Sequence, residues 1–163
     1  MSETRVGIGF DAHRFAAGRR LVLGGVEIDH PRGLEGWSDA DALLHAIADA
    51  VLGAVALGDI GSHFPPSEPA WQDADSRQLL QAAVTLAGRD GWSVVNVDAT
   101  VLAEGPRIAP HVAAMREAIA AACGIETARV SVKATTAEGM GFVGREEGIA
   151  ALAVATMARP AGT

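Results

Sequence analysis

Asp11 and His13 put a carboxylate and an imidazole one residue apart near the start of the chain. They follow Arg5-Val6-Gly7-Ile8, which reads as a strand, and alternate side chains of a strand share a face. Asp11 and His13 therefore point the same way and offer two of the three ligands of an open metal site. His45, on a helical stretch, offers a third. Two His and one Asp leave a tetrahedral ion with a free fourth position, as catalytic sites do and structural sites do not. Imidazole with carboxylate suits zinc best, with manganese or cobalt as alternatives. Taken singly, D-x-H also fits a surface turn, and a lone helical His is commonly packed or solvent-facing.

A second group is Lys133-Ala134-Thr135-Thr136-Ala137-Glu138. Two hydroxyls and exposed backbone amides can grip phosphate oxygens, and the carboxylate of Glu138 can hold a magnesium ion bridging two phosphates. Thr-Thr equally suits an ordinary strand exit, and both readings stand on these residues alone. Ser38 to Asp41 opens the helix that carries His45, where free N–H groups can hold a phosphate. Asp39 and Asp41 there also suit capping and dipole compensation, and one of them can support a metal-bound His from behind. Arg145, in Gly144-Arg145-Glu146-Glu147-Gly148, is either half of a surface ion pair or the neutraliser of an anion. Together these groups point to metal-assisted chemistry on a phosphorylated small molecule.

The elements that must position them follow from periodicity. A first strand runs to about Phe10. After a Gly-rich turn from Ala16 to Arg20, Leu21 to Leu23 and Val26 to Ile28 flank Gly24-Gly25 as a short hairpin. Ser38 is the expected N-cap of a helix reaching about Leu57, with Leu43, Leu44, Ile47, Val51, Leu52 and Val55 at helical spacing. Asp59-Ile60-Gly61 and the proline-rich piece from Phe64 to Pro69 read as loop. Asp75 or Ser76 caps a second helix to about Ala87, and Pro110 opens a third that ends near Gly124. Val94 to Leu102, Val130 to Ala134 and Ile149 to about Met157 are strands, the last preceded by a Gly-rich loop from Gly139. The expected fold is α/β, as an α+β two-layer domain over residues 1–163: a four-stranded sheet, three main helices on one face and a short hairpin.

With 163 residues, 49% of them hydrophobic, and a mean hydropathy of +0.21, the chain suits one well-buried domain or one that buries more surface by oligomerising. A formal net charge of −7 argues against sequence-independent nucleic-acid binding. It also means that an anionic substrate needs local help from metals, helix N-termini and a few arginines. Cys123 is the single cysteine, which excludes an intrachain disulfide and suits a small buried hydrophobe. Met1 to Val6 is polar, unlike a signal peptide. No apolar run reaches the ~20 residues of a membrane span, and a reducing, cytoplasmic setting is expected.

Several motifs, in order over nearly the whole chain, resemble the 2-C-methyl-D-erythritol 2,4-cyclodiphosphate synthase family. They are Gly9-Phe10-Asp11-Ala12-His13, Ser38-Asp39-Ala40-Asp41 through His45, Gly58-Asp59-Ile60-Gly61, Asp75-Ser76-Arg77, Asn96-Val97-Asp98, Lys133-Ala134-Thr135-Thr136 and Gly141-Phe142 through Gly144-Arg145. The resemblance implies an enzyme of the non-mevalonate isoprenoid pathway. In it, the 2-phosphate of 4-diphosphocytidyl-2-C-methyl-D-erythritol 2-phosphate attacks the β-phosphate of the same molecule and CMP leaves. It implies a homotrimer with sites between subunits, zinc on Asp11, His13 and His45, and magnesium or manganese on Glu138. It assigns transition-state stabilisation to Thr136, and the cytidine pocket to Ala103 to Ala109, with Arg107 and Ile108, and to Thr135. The erythritol hydroxyls fall to Asp59 and Gly61, next to Ile60, with help from the Phe64 loop. Phe10, Phe142, Arg145 and Glu147 match the lining of an axial channel able to take an isoprenoid diphosphate. Trp37 stands where many members carry a phosphate-contacting His; its indole N–H donates but carries no charge, so Ser38 or backbone amides take more of that load. Pro65-Pro66-Ser67-Glu68-Pro69 lacks the acidic residue often found after the first proline.

Overall fold

In a computed structural model describing residues 2–161, the chain forms one five-stranded sheet with helices on one face. Met1, Gly162 and Thr163, at the ends of the expected 1–163 domain, lie outside the described residues. In chain order the elements are β1 (Ser2–Ala17), β2 (Leu21–Leu23), β3 (Val26–Ile28), β4 (Arg32–Leu34), α1 (Ala42–Ala54), the single turn α2 (Ile60–His63), α3 (Ser76–Gly88), β5 (Ser93–Leu102), α4 (Val112–Cys123), β6 (Val130–Thr135), the single turn α5 (Gly141–Gly144) and β7 (Gly148–Pro160). The sheet order is β4-β1-β7-β5-β6, and β2 with β3 makes the expected hairpin. All pairs are antiparallel except β5 with β6, which α4 connects.

The two faces of the sheet differ sharply. Toward the helices it presents small residues: Gly7 and Gly9 of β1, Ala151, Ala153 and Ala155 of β7, and Ala99 of β5. The register sets Gly9 opposite Ala153, and Ala153 opposite Ala99. This lets α1 lie very close. A Cβ on Gly9 would fall 1.8 Å from the carbonyl oxygen of Ala46, and one on Gly7 2.0 Å from that of Ala50. In α1 only Asp49 and Gly53 escape burial, as suits a helix that is apolar on nearly all sides. On the other face Val6, Ile8, Phe10, Leu152 and Val154 remain exposed, Ile8 at 71% and Phe10 at 56%.

Four expectations shift. Strand β1 continues past Phe10 to Ala17, because β7 pairs with it as far as Arg14 and β4 takes over from Phe15. Asp11 and His13 thus lie within a strand, not at its end. A fifth strand joins the sheet; Arg32-Gly33-Leu34 is too short for alternation to reveal. Helix α1 starts at Ala42, with Asp41 as its cap, and stops at Ala54. Asp41, fully buried, accepts from the amides of Leu44, Gly24 and Gly25 at 3.0, 2.9 and 2.7 Å, tying the hairpin to the helix. Burial pushes its carboxyl up to about 6 against the pull of these donors. Ser38 to Ala40 form a turn before it, with Ala40 at φ 57°. Finally, the stretches read as loop after Gly58 and Gly139 contain the helical turns α2 and α5. Cys123 is buried as expected, and burial raises its thiol to about 12.

Candidate metal centre and phosphate-binding loops

The tight seat of α1 on β1 places His45, the residue before Ala46, above the helix-facing side chains of Asp11 and His13. His13 Nε2 and Asp11 Oδ2 are 2.8 Å apart, His45 Nδ1 and Asp11 Oδ2 3.0 Å, and the two ring nitrogens 3.2 Å. Three ligands of a tetrahedral ion with bonds of 2.0–2.1 Å stand about 3.3–3.4 Å apart. The triangle is therefore already near the size of one face of that tetrahedron, and its donor chemistry suits a divalent cation. His13 Nδ1 lies 2.7 Å from the Glu35 carbonyl. That oxygen can only accept, so Nδ1 carries a hydrogen and Nε2 is the nitrogen left to bind a cation in place of its proton. Burial opposes ionisation of Asp11, but hydrogen bonds from His13 and His45 outweigh it and hold the carboxyl well below its usual range. Burial likewise lowers His13, and the Asp11 carboxylate more than offsets this, so its pKa is raised.

Beside the triangle lies a mainly apolar pocket of about 220 Å³, bordered by His13, His45, Trp37, Ser38, Ile60, Gly61 and Phe64. Asp59 caps α2 at the edge of this region. Its carboxylate accepts from the amide and the hydroxyl of Ser62, both at 2.8 Å, which lowers its pKa. The Trp37 indole points its N–H at the Glu68 carbonyl, 3.4 Å away. Asp49, which sequence reasoning missed, anchors α2 by accepting from the Ile60 amide at 2.8 Å. Its spacing of four from His45 was the available signal.

The phosphate-binding candidates form a separate group. Thr135 ends β6 beside Leu102, and its carbonyl accepts from the Ala103 amide at 3.0 Å. The stretch Ala103 to Ala109, with Arg107 exposed and Ile108 buried, thus begins against Thr135. Glu104, also missed, clasps the loop by accepting from the amides of Ala137 and Gly139 at 2.9 and 3.3 Å. Glu138 adopts φ 52°, an uncommon left-handed conformation for a residue of its type, and its amide donates to Thr136 Oγ1 at 3.3 Å. Across the sheet Thr135, Leu102, Ala150 and Ala12 stand in one row. Three interstrand steps of 4.7–4.9 Å put this group about 14 Å from the Asp11 strand. Within one chain, the strand that leads into the Glu138 loop is therefore three strands away from the one that carries Asp11 and His13. Phe142 of α5 lies with Ala12 and His13 around another hollow, and Arg145 is paired with Glu147 at 2.8 Å.

Fold and site define a two-layer α+β protein with a candidate three-ligand cation centre. The chain belongs to the YgbB family, which it matches over residues 4–158. It is 61% identical over 153 residues to the 2-C-methyl-D-erythritol 2,4-cyclodiphosphate synthase of Symbiobacterium thermophilum, covering 94% of this chain and 98% of the relative. It is 59% identical over 150 residues to that of Syntrophomonas wolfei, covering 92% and 96%. Among solved structures, a 2C-methyl-D-erythritol-2,4-cyclodiphosphate synthase in a form bound to CDP superposes with a TM-score of 0.86 at 32% identity, over 94% of this chain and 99% of that one. The bifunctional IspDF of Campylobacter jejuni gives a TM-score of 0.94 at 38% identity, over 98% of this chain and 43% of that one.

Proposed function

We infer that this chain converts 4-diphosphocytidyl-2-C-methyl-D-erythritol 2-phosphate to 2-C-methyl-D-erythritol 2,4-cyclodiphosphate and CMP, as a phosphorus–oxygen lyase of the non-mevalonate pathway. The carrying observation is the Asp11–His13–His45 triangle, in a chain that aligns almost end to end with synthases of that name. The attacking group is a phosphate of the substrate itself, so the reaction needs no side-chain nucleophile. It needs two anionic groups folded together against their repulsion, and such positioning is worth up to about 7–11 kcal/mol.

Zinc suits Asp11, His13 and His45, and magnesium or manganese suits Glu138; when bound, such ions polarise phosphoryl oxygens and neutralise the charge that develops on them. Thr136 donates its hydroxyl toward the reacting phosphates. Ser38 and its neighbouring amides hold the phosphate near Trp37, whose single N–H turns from the Glu68 carbonyl to donate in place of a charged ring. Asp59, Ile60, Gly61 and Phe64 take the erythritol part. Ala103, Arg107, Ile108, Ala109 and Thr135 take the cytidine part, and Phe142 and Arg145 line an axial channel suited to an isoprenoid diphosphate.

The assembly is a homotrimer. Two features support it: the apolar sheet face left exposed by one chain, and the gap of about 14 Å between the cytidine group and the metal triangle, which a neighbouring copy would close. The chain acts as a single domain in the cytoplasm, without nucleic-acid or membrane partners. Among the described residues no helix is long and apolar enough to cross a membrane.

Incubation with the cytidyl substrate, followed by phosphorus NMR, tests the reaction. CMP and a cyclic diphosphate are expected. Inorganic phosphate would instead mark a hydrolase, and unchanged substrate a binding protein; either result overturns the reading.

A further inference from the structure

The two ring nitrogens of His45 face opposite ways. Nδ1 looks toward Asp11 and His13, while Nε2 has Ser76 Oγ at 2.9 Å and Ser38 Oγ at 3.2 Å. The direction of the shorter bond follows from its far end. Ser76 Oγ lies 2.5 Å from Asp39 Oδ1, and a carboxylate accepts without donating. The Ser76 proton therefore goes to Asp39. The hydroxyl is left with lone pairs toward His45, so Nε2 carries a hydrogen, and Nδ1 is the nitrogen left for a cation that displaces the proton it shares with Asp11. The Asp39 carboxylate is held in turn by the Ser76 amide at 3.0 Å and the Asp41 amide at 3.2 Å. Ser76 is fully buried at the start of α3.

We propose that Asp39 and Ser76 are positioning residues, a carboxylate–hydroxyl relay that fixes His45 as its Nε2–H tautomer and aims Nδ1 at the cation. This rests on the metal-binding reading of the triangle. It also assigns a use to Ser38-Asp39-Ala40-Asp41 and Asp75-Ser76-Arg77 beyond capping, because the relay joins the turn before α1 to the first residue of α3. Neither is among the residues assigned to the substrate. Both act through the ring, as outer partners of metal-bound imidazoles do.

Zinc affinity by chelator competition, and the exchange with water of the His45 Nε2–H seen by ¹H–¹⁵N NMR in the zinc-loaded protein, test this on the full chain. Ser76→Ala should weaken zinc binding about 10–100-fold and speed the exchange of that hydrogen. Asp39→Asn should move both readouts the same way but less, since its amide oxygen still accepts without the charge; it also carries the test should the alanine variant not fold. Wild-type affinity with unchanged exchange in the folded variants overturns the relay. His45→Ala separates the two levels: if it also binds zinc like wild type, the ligand assignment itself has failed.

Discussion

Asp11, His13 and His45 illustrate how much a side chain's role depends on what lies behind it. The Glu35 carbonyl turns the His13 ring, and the Ser76 hydroxyl meets His45 from the side away from the triangle. Removal of one ligand should remove the site without removing the fold. His45→Ala is expected to lose zinc and nearly all turnover while keeping its oligomeric state, checked by metal analysis beside a turnover assay; full activity without bound metal refutes the assignment. Glu138 belongs to the proposed phosphate-binding group. Its carboxylate is exposed, so Glu138→Gln should cost little stability. It should instead weaken the response of the rate to added magnesium or manganese, and an unchanged titration would remove Glu138 from that role. The residue types were legible in the sequence because they are rare and polar in an apolar context. Glu104 and Glu35 were not: a carboxylate or carbonyl that accepts from a backbone amide or a ring N–H has no sequence signature until the chain has folded, and for Asp49 only its spacing of four from His45 hinted at a role.

Helix α1 against strand β1 is the element pair that makes the centre. Gly7 and Gly9 leave room for Ala46 and Ala50, and that closeness brings His45 to within 3.2 Å of His13. Gly9→Ala puts a methyl carbon 1.8 Å from a backbone oxygen, which cannot yield as a flexible side chain would. A loss of at least about 1–3 kcal/mol is expected, together with weaker zinc binding as the helix is displaced. Chemical denaturation and chelator competition measure both, and wild-type values for both would mean the contact does not set the site. Sequence periodicity located α1, α3, α4 and most strands because each has an apolar stripe of the right period. It misplaced the ends of β1 and α1 because those depend on partners. Pairing with β7 and β4 extends the strand through Asp11 and His13, and the bonds of Asp41 to the hairpin set where the helix starts.

At the scale of the whole molecule, a single chain keeps the metal triangle and the Thr135 strand end apart and, among the described residues, leaves an apolar sheet face uncovered. In the proposed trimer, neighbouring copies cover that face and bring each metal triangle to another chain's Thr135-Thr136-Ala137-Glu138 loop. Ile8 is exposed in the single chain, so Ile8→Glu leaves the isolated fold intact yet places a charge where subunits would meet. Light scattering should then report monomers, and turnover should fall to near zero with an unchanged far-ultraviolet spectrum. A variant with the size and rate of wild type would show that this face is not the contact.

By itself the sequence determined which side chains can do chemistry, which segments form the three long helices and four of the sheet strands, and the charge balance that makes an anionic substrate depend on local cations. These are properties of residue type and of periods of two or 3.6, and both are written in order along the chain. Only the tertiary structure decided that residues 11, 13 and 45 come within 2.8–3.2 Å of one another, and that the strand ending at Thr135 runs about 14 Å from theirs across the sheet. Those separations come from strand order and from how closely a helix can approach a row of glycines and alanines, contacts between segments far apart in the chain.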